Sequence, residues 1–266
     1  RIETVDTSLS ITKDYKFNFT RKDNFELIKM SNVGHTYNNL GYNFSHYDYP
    51  QMGALGKHFN YFEKDDIGYY EVPTPFTELF AKSTFEQGQI LDALISINFN
   101  PNYNLTLAHK GYKSLGKYQS IKSRGNQLRL SSIFNSNNNL TNVKLHFTSQ
   151  NLFNDENGGL EPDSIYFFEQ APDYFVLDEY GNQIQNDDGT YEMIYYDGYL
   201  DRSRLGPNLI ASGSLYSKRF FTDISRLIIN KVDKNTSLIL GYQYIHEYKK
   251  LNFKETRSIE FFGDFF

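Results

Sequence analysis

The sequence contains no cysteine and no tryptophan among its 266 residues. Without cysteine there can be no disulfide framework, no thiolate metal site and no thiol nucleophile. The longest apolar runs cover only a few residues, such as 227–229, against the roughly 20 that a spanning helix needs. A helical membrane protein is therefore excluded. The first residue is Arg1 rather than Met. We therefore expect that the polypeptide was processed or trimmed ahead of Arg1 and that any export signal was removed in this way.

The chain also lacks an excess of basic charge. Its 27 Lys and Arg face 32 Asp and Glu, for a formal net charge of -5. These charges are spread along the sequence and form no basic stripe that could neutralise a phosphate backbone, so nucleic-acid binding is not expected. What the chain does have is aromatic side chains, 22 Tyr and 23 Phe, set among many Asn and Ser. This mixture favours strands joined by polar turns.

Wherever the sequence is periodic, the period is two. Apolar residues occupy every odd position of 91–99 and polar ones most even positions, and after the turn 100–102 the alternation resumes through Leu105 and Leu107. This spacing predicts a hairpin. The same pattern predicts two more hairpins, one from 127–134 and 143–148 around a turn at 135–139, the other from 227–229 and 238–244 around a turn at 231–236.

Two parts of the chain do not follow this pattern. Residues 1–72 are rich in Asn, Gly and Tyr and contain only short candidate strands, so we expect a segment that precedes or plugs the main β domain. The acidic, turn-rich stretch at about 151–207 is expected to form a long surface loop within the remaining domain, 73–266. At ~10 residues per strand and ~5 per connection, the rest of that domain provides about nine strands.

Alternation alone does not distinguish a membrane barrel from a soluble sandwich. Polar side chains in strand interiors and aromatic residues near strand ends favour the barrel. The weak signal of each strand and the lack of tryptophan favour a soluble domain, which the pattern by itself makes the better supported alternative.

Several long stretches, in order along the chain, resemble the putative porin family of Bacteroidota. They are residues 15–27 (YKFNFTRKDNFEL), 31–34 (SNVG), 37–42 (YNNLGY), 57–62 (KHFNYF), 72–79 (VPTPFTEL), 85–89 (FEQGQ), 126–130 (NQLRL) and 154–159 (NDENGG). The resemblance covers about residues 15–160 well and the remainder loosely. It implies an all-β protein of the cell outer membrane, an antiparallel transmembrane β-barrel or an N-terminal part of a larger one, in contact with outer-membrane lipid and with a pore function.

If the fold is a barrel, its polar inward residues would line a water-filled lumen and set a weak ion preference. The candidates are Asn98, Arg129, Lys144 and His146. The first functional hypothesis is therefore a porin that allows passive diffusion of small solutes.

A second hypothesis is a structural or accessory barrel subunit of an envelope complex for secretion or nutrient uptake. Its long loop would bind other envelope proteins through exposed aromatic residues. The candidates are Tyr166, Phe167, Phe168, Tyr195 and Tyr196. A third, weaker hypothesis is a soluble carbohydrate-binding sandwich.

No catalytic, cofactor or metal motif is recognisable in the sequence. The six His residues lack the H-E-x-x-H spacing of a zinc site, and the neighbouring carboxylates Asp65 and Asp66 would point to opposite faces of a strand. We expect no enzyme activity, no cofactor and no metal.

Overall fold

A computed structural model describes residues 2–3, 27–29, 32–41, 60–84, 88–170, 174–176, 178–194, 205–231 and 236–256. The described residues of the N-terminal part include four very short strands. Strand β1 (Ile2–Glu3) pairs in parallel with β4 (Tyr69–Tyr70), and β2 (Leu27–Lys29) pairs antiparallel with β3 (Tyr37–Asn39). A single turn of 3-10 helix covers Lys64–Asp66.

Seven longer strands form one antiparallel sheet in the spatial order β13-β12-β9-β8-β7-β6-β5. Each strand pairs with the strand before it and the strand after it in this series, so the sheet is a meander. Within the described residues, β5 and β13 each have a neighbour on one side only. The strands are β5 (Phe76–Thr84), β6 (Gly88–Asn100), β7 (Tyr103–Ser114), β8 (Ser123–Asn135), β9 (Thr141–Glu156), β12 (Ala211–Lys231) and β13 (Thr236–Glu255).

The three hairpins predicted from the alternation are confirmed as the pairs β6–β7, β8–β9 and β12–β13. In the first turn the Oδ1 of Asn100 accepts a hydrogen bond from the backbone N–H of Asn102 at 2.9 Å. In the second, Asn139 has a φ of 54°, a left-handed conformation that Asn tolerates better than most residues. In these two turns asparagine therefore provides a side-chain hydrogen bond and tolerates a left-handed backbone conformation.

Strand lengths differ from the expectation. β12 and β13 have 21 and 20 residues, about twice what is needed to cross a bilayer. β9 continues to Glu156, so the expected start of the long loop at about 151 lies inside a strand. The described sheet has seven strands rather than about nine, and it is not closed.

The connection between β9 and β12 carries some structure of its own. It contains helix α1 (Pro162–Gln170) and two strands of two residues each, β10 (Tyr174–Phe175) and β11 (Met193–Ile194), which pair antiparallel. Among the described residues, no helix is both long and apolar enough to cross a membrane.

Candidate functional site

One face of the sheet is apolar at the level of the strand centres. A row of directly paired residues crosses five strands on this face: Ile95, Leu107, Leu130, Phe147 and Phe220. Four of them expose substantial side-chain surface, between 38% for Leu130 and 47% for Leu107. A soluble sheet hides such a row under a second layer, whereas a membrane barrel turns it towards lipid.

Aromatic side chains lie on the same face close to the short turns. Tyr103 pairs with Phe134 across β7 and β8, and the rings of Phe99 and Tyr103 stack with centroids 5.8 Å apart. Towards the other end of the strands the face becomes polar, where the side chains of His109 and Asn126 lie 3.0 Å apart in a hydrogen bond. The apolar region is therefore a band with a polar border on the side of the long loop, as the outer surface of a membrane barrel requires.

The opposite face is polar and largely buried. Two adjacent rows of paired residues cross its centre. The first contains Lys110, Gln127, Gln150, Ser217 and Lys249, and the second contains Arg129, Thr148, Arg219 and Glu247. Gln127, Thr148 and Ser217 are fully buried. Buried polar rows of this kind need hydrogen-bond partners, and the N-terminal part of the chain provides them.

The structure places all four residues predicted to face a lumen on this polar face. Asn98 accepts a 2.5 Å hydrogen bond from the side chain of Asn104, and Arg129 donates to the carboxylate of Asp92 at 3.0 Å. His146 is 2% exposed, and Lys144 is partly buried. Because the described sheet is open, their role as lumen-lining residues stays a prediction.

The backbone of residues 60–62 is held against the two polar rows by amide side chains. The N–H of Phe62 donates to Gln150 Oε1 at 2.9 Å, and Gln150 Nε2 donates back to the Phe62 carbonyl at 2.9 Å. Gln127 Nε2 donates to the carbonyl of Asn60 at 2.5 Å. The side chains of the sheet thus supply the hydrogen bonds that hold the backbone of this segment.

A cluster of charged and hydroxyl groups secures the same segment towards β12 and β13. The hydroxyl of Tyr61 lies 2.6 Å from Ser217 Oγ and donates to Glu247 Oε1 at 2.5 Å. Arg219 Nη2 donates to the Phe62 carbonyl, and its Nε lies 3.3 Å from Glu247 Oε1. Burial raises the pKa of the Tyr61 hydroxyl above its ordinary value, against the opposing effect of Arg219, so Tyr61 remains a neutral donor.

Lys249 links the segment and the sheet by charge. Its Nζ lies 3.6 Å from Glu63 Oε1 and 3.6 Å from Glu247 Oε2, and 4.6 Å from the centroid of the Tyr61 ring. Glu63 belongs to the N-terminal part and Glu247 to the sheet. One ammonium therefore bridges carboxylates of both.

Two further contacts lie along the same face. The hydroxyl of Tyr69 lies 2.8 Å from His146 Nδ1, and Ser131 donates to the Gly68 carbonyl at 2.9 Å. Nearer the loop end, Asn154 donates to the Gly34 carbonyl at 3.1 Å. The N-terminal part therefore contacts the polar face from 32–35 through 60–69.

The apolar core lies between this part and the sheet. It consists of Val33, Tyr61, Ile90, Tyr112, Leu152 and Leu215. The ring of Tyr112 lies so close to Gly34 and Gly125 that a Cβ atom on either glycine would come within 2.3 or 2.2 Å of it. Glycine at both positions lets an aromatic ring pack flat between the segment and the sheet.

Several polar atoms beneath the segment lack a hydrogen-bond partner within the part of the chain that the structure describes. They are Gln127 Oε1, His146 Nε2, Thr148 Oγ1 and Arg219 Nη1. A buried polar atom without a partner costs about 1–3 kcal/mol. The polar face is therefore satisfied only in part by the segment, unlike the core of a soluble domain.

A cavity of about 520 Å³ opens at the end of the face near the short turns. Its lining includes Glu71, Pro73, Asn98 and Asn100. The side chain of Asn135 donates to Glu71 Oε1 at 3.1 Å beside it. Predicted residue Asn98 thus lies where the polar face meets open space.

The aromatic residues predicted to bind a partner are described only in part. Tyr166, Phe167 and Phe168 lie on α1 and are 57%, 40% and 39% exposed, whereas Tyr195 and Tyr196 lie outside the described residues. Elsewhere in this loop, hydrogen bonds from Asn182, chiefly from its backbone, lower the pKa of the Asp178 carboxyl.

Sequence reasoning missed most residues that hold the segment. Gln127 and Gln150 lie two and four positions from Arg129 and His146 on the same face, so the alternation could have identified them. Arg219 was harder to find, because Leu215 and Phe221 lie on the same face of β12 and are apolar, which blurs the alternation of that strand.

The comparisons agree with this geometry. The model of the putative porin family matches residues 1–266, the whole chain, and supports a porin-like outer-membrane protein. Neither the curated proteins nor the solved structures gave a match. With an all-β antiparallel sheet, an apolar outer band and this full-length match, the chain belongs to the putative porin family.

Proposed function

We propose that this protein is a porin that lets small solutes diffuse passively across the outer membrane. The observation that carries the proposal is that the sheet is inverted relative to the sheet of a soluble protein. Leu107 and Leu130 are exposed on one face, and Gln127 and Thr148 are buried on the other. A channel needs this inversion, because lipid covers the apolar side and polar side chains line the water-filled side.

The polar face suggests a weak ion preference. Arg129, Lys144 and Arg219 lie on it together with Asp92 and Glu247, so charges of both signs occur. Mixed charge suits a path that admits small solutes of either sign more than a filter for one ion. We include in this proposal that the protein has no catalytic activity of its own.

Planar bilayers test the proposal. Purified, folded protein should give stepwise conductance increments, and proteoliposomes should swell in small neutral sugars. Heat-denatured protein at the same concentration is the control for detergent leakage. The variant Gln150→Leu, which lacks the hydrogen bonds to the Phe62 backbone, is measured beside wild type. If neither folded protein conducts at any voltage, passive diffusion is refuted.

A second function is favoured by the exposed aromatic residues of α1. The rings of Tyr166 and Phe167 meet edge to face with centroids 5.8 Å apart, and Phe168 adds a third exposed ring. Another envelope protein could cover these rings, which suits an accessory subunit of an uptake or secretion complex. Replacing all three by Ser should abolish co-purification of such a protein and leave barrel insertion intact. Tyr180, 81% exposed in the same loop, offers the matched control. Unchanged co-purification would refute this second function.

A further inference from the structure

We propose that the described N-terminal residues 32–35 and 60–72 form a displaceable plug of the pore, latched by Arg219, Glu247 and Lys249. This inference rests on the proposed function, because a plug regulates only a protein that conducts. A segment of the chain itself, seated on the polar face, controls the path of the solute.

The segment lies on the surface that a solute would have to cross. Gln150 and Gln127 bind the backbone of Phe62 and Asn60 at the two central polar rows of the sheet. These rows are the surface that a water-filled path would use. While the segment is seated, solute cannot reach the centre of this face.

Both apolar and polar contacts hold the segment. Val33 and Tyr61 pack in the apolar cluster with Tyr112, Leu152 and Leu215. Over the polar rows the segment is held through hydrogen bonds and charge: Tyr61 to Glu247, Arg219 to the Phe62 carbonyl, and Lys249 to Glu63. Water can replace each of these contacts when the segment leaves. Water does not replace the apolar cluster, whose exposure opposes displacement, so the polar contacts alone form the latch.

The polar face is not fully satisfied by hydrogen bonds while the segment covers it. Arg219 Nη1, His146 Nε2 and Thr148 Oγ1 are buried without a hydrogen-bond partner in the described part of the chain. A permanently sealed core selects against such atoms. A face that alternates between a covered and a hydrated state tolerates them, because water satisfies these atoms whenever the segment is displaced.

The latch is concentrated on β12 and β13. Lys249 contacts carboxylates of the segment and of the sheet at once, so its loss weakens both sides of the latch. Lys250, the next residue, lies on the other face of β13, where it is exposed and pairs with Tyr216 of β12. Lys249→Gln and Lys250→Gln therefore form a matched pair with the same change of charge.

A reversible lock tests whether the segment moves. The sequence has no cysteine, so Glu71→Cys with Asn135→Cys introduces the only two thiols, at side chains that lie 3.1 Å apart and outside the latch. A bismaleimide with a cleavable disulfide should join them in folded protein, and each single variant is the control. Conductance should be low while the link is intact and should rise when it is reduced.

The latch pair gives the second readout. Lys249→Gln should raise the ratio of open to closed states by roughly tenfold, the effect of losing a close, partly buried ion pair, and Lys250→Gln should leave it unchanged. Amide hydrogen exchange at 60–62 should be faster than at the centre of β8, and faster still in Lys249→Gln.

The outcomes separate the two proposals. No cross-link in folded protein would refute the seated position, and equal conductance before and after reduction would refute displacement. If no variant conducts in any state, passive diffusion fails, and hydrogen exchange then decides on the plug. Exchange at 60–62 as slow as in β8, in both lysine variants, would show a fixed segment.

Discussion

Gln150 and Phe62 form a closed pair of hydrogen bonds, in which the amide side chain of a sheet residue pairs with the backbone of a residue 88 positions earlier. The Gln150 amide donates one hydrogen bond and accepts another, as a peptide group of a neighbouring strand would. It also places the glutamine where its Oε1 accepts from Gln127 at 3.0 Å.

Gln150→Leu should release the backbone of Phe62. Both hydrogen bonds are lost, at a net cost of about 1 kcal/mol each, so hydrogen exchange at the Phe62 amide should accelerate by at least about tenfold. Asn151→Leu, on the exposed side of the same strand, is the control. An unchanged exchange rate at Phe62 would show that other contacts hold this amide.

Gly125→Ala should destabilise the protein, because the new Cβ would lie 2.2 Å from the Tyr112 ring, which Gly34 confines on its other side. Forcing extra volume into a packed site costs about 1–3 kcal/mol. Gly241→Ala on β13, where nothing lies within 4 Å of the added atom, is the control. Urea unfolding in detergent measures both, and equal midpoints for the two variants would contradict the prediction.

Leu107→Arg should impair insertion into a bilayer. Leu107 belongs to the apolar row at the level of the strand centres, and an arginine that faces lipid near the bilayer midplane costs about 2–4 kcal/mol. Folding yield into vesicles and urea titration measure the effect, with Asn138→Arg in the exposed β8–β9 turn as control. If Leu107→Arg folds as well as wild type and stays in solution without detergent, the apolar band does not face lipid.

Arg219 and Glu247 should be energetically coupled. Arg219 is 1% exposed, and removing one partner of a buried ion pair costs about 3–5 kcal/mol. We expect Arg219→Met and Glu247→Gln together to cost about 1–3 kcal/mol less than the sum of the single changes. A double-mutant cycle by reversible urea unfolding gives this value. Additivity within about 0.5 kcal/mol would contradict the pairing.

The sequence predicted the sheet well, because a period of two is a local signal. Residues 91–99 show in their order alone that Leu91, Ile95 and Phe99 share one face and Asp92 and Ser96 the other. Asn-rich turns and the family resemblance then indicated hairpins and a barrel.

What the sequence did not reveal was the contact between distant parts. Nothing near Tyr61 indicates that it meets Ser217 and Glu247, 156 and 186 residues later, because such contacts depend on register across the whole sheet. The length of β12 was missed for a similar reason: on a face that is otherwise polar, Leu215 packs in the cluster with Val33 and Tyr61, and Phe221 stacks on His146.

The seven-stranded meander also sets a rule of parity. Successive antiparallel strands alternate in direction, so the first and seventh, β5 and β13, point the same way. If these two edges met directly, the seam would be parallel, as it would be between two copies related by an axis along the membrane normal. A wall that is antiparallel all the way round must place an odd number of additional strands between them, which makes the total even.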